Sequence, residues 1–294
     1  MNQAFLSYYR CPEQFAAFRP KREQSKDSSP GYFRFGPDVI CYGAADEPGS
    51  AEADKTLPDL LSQVKITGGS CLLPFNPTDV ANNLRYERYC DGGRRPLWKK
   101  LVRGAYYGAR PLLPVSLRRH LQRTWLKGWE KRPFPRWPVD RTVDRMFEKL
   151  MGLSLQANGN ARIPFIWFWP EGSSSCAIVT HDVETAAGLA FIPELMDLND
   201  SFAIKSSFQI VPEDRYAAGE KVLSDIRSRG FEINVHDLKH DGHLFDDHEQ
   251  FLQSAERINQ HGIRFGSQGF RSAVLYRNLS WYGALSFSYD MSVP

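Results

Sequence analysis

Two patterns of apolar and polar positions divide the chain. In the second half, short apolar runs alternate with amphipathic stretches. The runs predict strands over 176–182, 203–211, 231–235, 265–270 and 285–289, and helices over 192–198, 220–228 and 247–260. Gly230 and Gly262 are placed to stop the second and third helices. Strands alternating with helices predict an α/β domain with a parallel sheet or barrel, in which sites form at the carboxyl ends of the strands.

The first half is less regular. Residues 38–42 read as a strand, 72–75 begin a further ordered piece, and Asn76-Pro77-Thr78-Asp79 caps a helix through 80–89. Residues 21–30 and 43–54 have loop composition. Residues 96–150 read as helical, broken at Pro111, Pro114 and a proline cluster at 133–138, which is a natural hinge or boundary. The expected organisation is a separate, mostly helical α+β region over 1–155, followed by an α/β domain over 156–294.

Composition changes this picture little. A chain of 294 residues with 42% hydrophobic and 24% charged residues can build one large core or two smaller ones. The five cysteines never form Cys-x-x-Cys, which argues against a disulfide framework and a cysteine zinc site. No run approaches the ~20 apolar residues of a membrane span, and residues 1–10 have no signal-peptide pattern. The expectation is a cytoplasmic protein.

Charge adds one feature. Residues 94–136 hold thirteen Lys or Arg and one acid, Glu130, within a net charge of only +3. Trp98, Trp125 and Trp129 lie among Lys99, Lys100, Arg103, Arg118, Arg119, Arg123 and Lys127. A basic helix with aromatic and leucine residues suits an anionic membrane surface, which would make the protein peripheral to the inner membrane. The alternative is a solvated basic face that packs on the next domain. No nucleic-acid-binding motif accompanies it, so nucleic acid is not an expected partner.

The chemistry lies at two predicted strand ends. Ile233-Asn234-Val235-His236-Asp237-Leu238-Lys239-His240 ends in His-x-x-x-His, and one turn of chain puts both imidazoles on one side, able to share an ion. Val179-Thr180-His181-Asp182-Val183-Glu184 ends in Asp-x-Glu, whose alternate side chains point the same way. Either pair alone is weak. Together, at the ends of apolar strands in one alternating region, they suit a mononuclear metal hydrolase.

Three segments in this order resemble the first three motifs of the polysaccharide deacetylase (NodB-homology, carbohydrate esterase family 4-like) family. They are Thr180-His181-Asp182-Val183-Glu184, His236-Asp237-Leu238-Lys239-His240 and Gly269-Phe270-Arg271-Ser272-Ala273. Ile204 to Val211 resembles the family's second-strand segment, and the resemblance covers about residues 160–294. It implies a distorted (β/α) barrel carrying a Zn²⁺- or other divalent transition-metal-dependent N-deacetylase. His236 and His240 would be metal ligands, Asp182 the general base, and Arg271 the group that holds this base ionised and oriented. The substrate implied is an N-acetylated saccharide of a cell-envelope or exopolysaccharide precursor.

The chain departs from the family pattern in three places. Val183 stands where the family's second, metal-binding aspartate is found, so Glu184, at an acid-x-acid spacing, is the candidate third ligand. Ala273 replaces a proline. The late Leu-His motif that supplies the general acid has no counterpart, and five strands imply a partial barrel, so the domain is expected to be C-terminally incomplete. Asp290 falls where the fourth motif begins; it would line the cleft or orient the missing histidine, or else be a surface aspartate. His181 and His243 are expected to be structural or to stand behind the ligands, and Asp237 to orient a neighbour or cap the next turn. The alternative reading is a catalytically degenerate carbohydrate-binding or membrane-peripheral module on the same fold.

Overall fold

The computed structural model describes residues 1–21, 29–90, 113–125, 127–159, 162–273 and 278–292. The chain forms two compact units, Met1–Gly172 and Ser173–Pro294. The expected boundary after residue 155 falls inside a helix, Thr142–Asn158. The 133–138 proline cluster lies within the first unit and is no boundary, because Phe134 is buried against Tyr32 and Tyr89.

The first unit is α+β. Its helices are α1 (Gln3–Tyr9), α2 (Pro77–Arg85), α3 (Val115–Trp125) and α4 (Thr142–Asn158). Its strands are β1 (Phe18–Pro20), β2 (Gly31–Arg34), β3 (Ile40–Gly43), β4 (Lys65–Thr67) and β5 (Ser70–Leu73). They make a three-stranded sheet of order β1-β5-β4 and an antiparallel β2-β3 pair. Most of these strands were invisible to the pattern because each has only three or four residues, too few for a period to show. The Asn76 cap is present, its Oδ1 accepting the Thr78 N–H at 3.0 Å. That N–H is one of the donors a helix start leaves unpaired. Phe5, Phe18, Phe33, Phe75, Phe147 and Leu150 are central to one apolar core.

The second unit carries the strand–helix alternation. Its elements run β6 (Thr180–Val183), α5 (Ala186–Ser201), β7 (Ser207–Ile210), α6 (Glu220–Ser228), β8 (Glu232–His236), α7 (His248–Phe265), β9 (Gly269–Arg271) and β10 (Tyr289–Asp290). The strands lie side by side in chain order, all parallel. Among the described residues this is an open five-stranded sheet, and barrel closure is not formed. Parallel neighbours joined in sequence by right-handed crossovers place their helices on one side. Accordingly Val183, Phe208, Ile210, Ile233, Val235 and Phe270 share one core with apolar residues of α5, α6 and α7. Each fully buried Ile, Leu or Phe there stabilises the fold by roughly 1.5–3 kcal/mol relative to exposure.

Several element ends differ from expectation, among them β6, which starts at Thr180, β7, confined to Ser207–Ile210, and β10, confined to Tyr289–Asp290. The third helix does not stop at Gly262; it runs to Phe265 and is capped by Gly266 at φ 64°. Gly262 is instead a packing residue, since a Cβ there would stand 2.8 Å from the Phe287 ring. The strand expected at 265–270 is therefore displaced to Gly269–Arg271. The described residues include no helix long and apolar enough to cross a membrane.

Candidate metal centre

Side-chain alternation separates the two faces of the sheet. Val183, Phe208, Ile233 and Phe270 enter the core, so the alternate positions point the other way. Those positions are polar. Asp182, Gln209 and Asn234 stand in one register row, with Thr180, Ser207 and Glu232 one row below. At the carboxyl ends, on the same parity, come Glu184, His236 and Arg271.

This geometry accounts for Val183. At 2% exposure it is committed to the core, and a carboxylate there would be buried among apolar side chains. The next residue on the polar face is Glu184. Directly after it Thr185 caps α5, its Oγ1 accepting the Gly188 N–H at 3.1 Å.

Glu184, His236 and His240 converge, with one ligand atom of each within 4.8 Å of the others. Glu184 Oε1 stands 3.1 Å from His240 Nε2 and 3.9 Å from His236 Nε2. The shorter distance is within hydrogen-bond reach but lacks the alignment of a hydrogen bond. Both Nε2 atoms are therefore buried with no hydrogen-bond partner. The imidazole centroids are 4.8 Å apart, their planes at 69°.

An orphaned buried nitrogen costs about 1–3 kcal/mol, and two such atoms aimed at one carboxylate are unfavourable unless something else fills their lone pairs. Two nitrogens and one carboxylate oxygen, with Glu184 half-exposed at 46%, are the donor set of an open three-ligand site for a divalent transition ion. The residues present fit that group.

The surroundings prepare the imidazoles for this role. His236 Nδ1 lies 3.2 Å from the Arg271 carbonyl. With its proton on Nδ1, the ring donates there and leaves Nε2 free to ligate. Burial pushes the His236 pKa down, against the opposing charge of Asp182, and so favours the neutral ring. His240 is delivered by a tight turn in which Asp237 and His240 both have left-handed backbone, φ 58° and 56°. The Asp237 carboxylate accepts the Leu238 N–H at 2.6 Å and the Ala273 N–H at 3.2 Å, tying the turn after β8 to the segment after β9.

Asp182 is paired with Arg271 across the sheet, Nη1 to Oδ1 at 2.7 Å, and the same Nη1 lies 3.3 Å from Thr180 Oγ1. A charge-assisted bond of this length orients the carboxylate.

Other candidate residues lie elsewhere. Asp290 is not brought to this cluster. It is in register with Phe270, on the opposite parity from Arg271, and its Oδ1 accepts from the Ser292 N–H and hydroxyl. Ser292 in turn accepts the Ser272 N–H at 2.7 Å, so Asp290 anchors the segment after β9. His181 faces the helices, against Phe208 and Asn199. His243 is an exposed partner of Asp246, 2.7 Å away. Trp98, Lys99, Lys100 and Arg103 lie outside the described residues.

Sequence reasoning passed over Arg215 and Tyr216. The Arg215 guanidinium donates to the carbonyls of Lys239, at 3.2 Å, and His240, at 2.5 Å. The Tyr216 hydroxyl donates to the Val183 carbonyl and accepts the Val211 N–H at 3.0 Å. Both lie in a loop with no periodicity, and their partners are main-chain atoms, so no motif could announce them.

No protein-family model matches this chain, and no curated protein matches it. Among solved structures it is similar to a candidate polysaccharide deacetylase from Mycobacterium smegmatis, with a TM-score of 0.35 and 20% identity. The match covers 42% of this chain and 52% of that one, so this chain spans about half the length of the structure it resembles.

Proposed function

We infer that this chain is a metal-dependent hydrolase that removes N-acetyl groups from a saccharide of a cell-envelope or exopolysaccharide precursor. One observation carries the reading: two buried imidazole nitrogens without hydrogen-bond partners converge on the Glu184 carboxylate, next to an arginine-oriented aspartate. Glu184, His236 and His240 would hold the ion, with zinc the first choice for this N/O set. A divalent ion bound there would polarise an amide carbonyl and make water acidic enough to attack it near neutral pH.

The chain's own groups supply the base and its orientation. Asp182, held by Arg271, accepts the proton of the attacking water. Arg271 keeps that carboxylate aimed through a fixed bond, so the base needs no reorientation. Asp290, expected to line the cleft or orient a histidine, has no part in this reading, because its Oδ1 is engaged with Ser292.

The test is zinc content and deacetylation of N-acetylglucosamine oligomers by the full chain, beside His236→Ala. Stoichiometric zinc and acetate release, both lost in the variant, are expected. A wild-type chain that takes up no zinc sinks the proposal. Zinc uptake without acetate release would reduce the chain to a saccharide-binding module.

A second reading concerns α3. Val115, Leu117 and Leu121 are 54%, 42% and 40% exposed, and Arg118, Arg119 and Arg123 share the helix. Exposed leucines beside cations suit an anionic bilayer surface. Flotation with phosphatidylglycerol vesicles tests this: binding that survives replacement of the three arginines by glutamine refutes it.

A further inference from the structure

We propose that the loop after β7 is a brace for the metal centre, with Arg215 as a positioning residue for His240 and Tyr216 for Glu184. The inference rests on the metal reading above and deepens it, because it names what sets the geometry of two of the three ligands.

His240 reaches the site from a turn that holds two non-glycine residues in left-handed conformation. Such residues keep that conformation only where their surroundings over-determine it. On one side Asp237 supplies part of the restraint, through Leu238 and Ala273. The remainder comes from the loop after β7. The Glu213 N–H donates to the Leu238 carbonyl at 3.0 Å, Asp214 pairs with Lys239 at 2.9 Å, and Arg215 clasps the carbonyls of Lys239 and His240.

Arg215 is suited to this task by shape. Its planar fork can reach two carbonyls at once, whereas a lysine ammonium is a single point donor. Holding the His240 carbonyl fixes the peptide unit from which the imidazole projects. The adjacent residue acts on the other ligand. The Tyr216 hydroxyl bonds the carbonyl of Val183, the residue immediately before Glu184. Burial pushes the Tyr216 pKa up to about 12, which keeps the hydroxyl protonated as the donor. One short loop thus grips the chain beside both Glu184 and His240. Groups that orient metal ligands from behind commonly change metal affinity 10- to 100-fold when removed.

The experiment uses the full chain. Zinc titration is run on wild type, Arg215→Ala and Arg215→Lys, with hydrogen exchange of residues 238–241 and thermal unfolding measured on the metal-free proteins. Arg215→Ala is expected to raise the zinc Kd ~10–100-fold, with Arg215→Lys between it and wild type. Exchange at 238–241 is expected to accelerate while the unfolding temperature stays close to that of wild type, because Arg215 is a surface residue. Arg215→Ala with the wild-type Kd overturns the proposal. If wild type itself takes up no zinc, the metal reading fails separately, and exchange judges the brace. Unchanged protection at 238–241 in Arg215→Ala then refutes it, and faster exchange upholds it.

Discussion

Restoring the family's adjacent aspartates through Val183→Asp should harm this protein without improving its metal centre. Val183 is 2% exposed and packs with the strand and helix residues of the second core. Removing its two methyl groups, as in Val183→Ala, forfeits about 1.6 kcal/mol at about 0.8 kcal/mol per buried carbon. An aspartate in the same place adds a carboxyl with no hydrogen-bond partner, costing a further ~1–3 kcal/mol even when protonated. The total is roughly 3–5 kcal/mol, a large fraction of the stability of an ordinary domain. Such a carboxyl has its folded-state pKa raised by burial. The folded state then binds more protons than the unfolded state, so the deficit should deepen as pH rises above the ordinary carboxylate range. Urea unfolding of metal-free wild type, Val183→Ala and Val183→Asp at pH 5 and 8, with zinc titration alongside, measures all of this. A Val183→Asp protein as stable as wild type, or one that binds zinc more tightly, would refute the claim that this position belongs to the core and that Glu184 takes over the ligand role.

Three further predictions follow from the same geometry. Asp182→Asn should lower kcat for acetate release by about 10²–10⁴-fold while zinc content stays stoichiometric; loss of zinc with the rate would instead make Asp182 a ligand. His236 has its pKa lowered from 6.5, chiefly by burial, so below that value the unfolded state binds the proton first. The metal-free protein should therefore lose stability as pH falls from 6.5 through the lower folded value, and His236→Gln should flatten that slope in denaturant titrations at several pH values. Gly269→Ala should cost ~1–3 kcal/mol, because a Cβ there would meet the Tyr289 ring and stand 2.7 Å from Asn234 Oδ1. Unfolding that shows Gly269→Ala to be as stable as wild type would mean β10 is not packed against β9 as described.

The strand–helix alternation of the second unit was legible because each apolar run is bounded by polar turns and glycines. The helix ends were less so: Gly262 reads as a stop signal until the Phe287 ring is seen against it. In the first unit, strands of three or four residues left no period to read. The site showed a similar division. Asp182, Glu184, His236, His240 and Arg271 stand out by spacing and order, while the alternatives for Asp290 stayed open because sequence position says nothing of parity at a strand end. Its neighbour across the sheet is Phe270, and its carboxylate is engaged with Ser292.

By itself, the sequence determined which residue types could do chemistry and that they end neighbouring apolar strands. Local pattern carries that information because side-chain alternation and turn composition are short-range properties. Only the tertiary structure decided which of those residues meet. Parallel register brings Asp182 within 2.7 Å of Arg271, 89 residues away, and sends Val183 to the core and Glu184 to the polar face. It also recruits Arg215 and Tyr216, whose role lies in bonds to distant carbonyls. Such bonds depend on main-chain position in space, and every residue carries the same carbonyl, so no spacing in the sequence could have marked them.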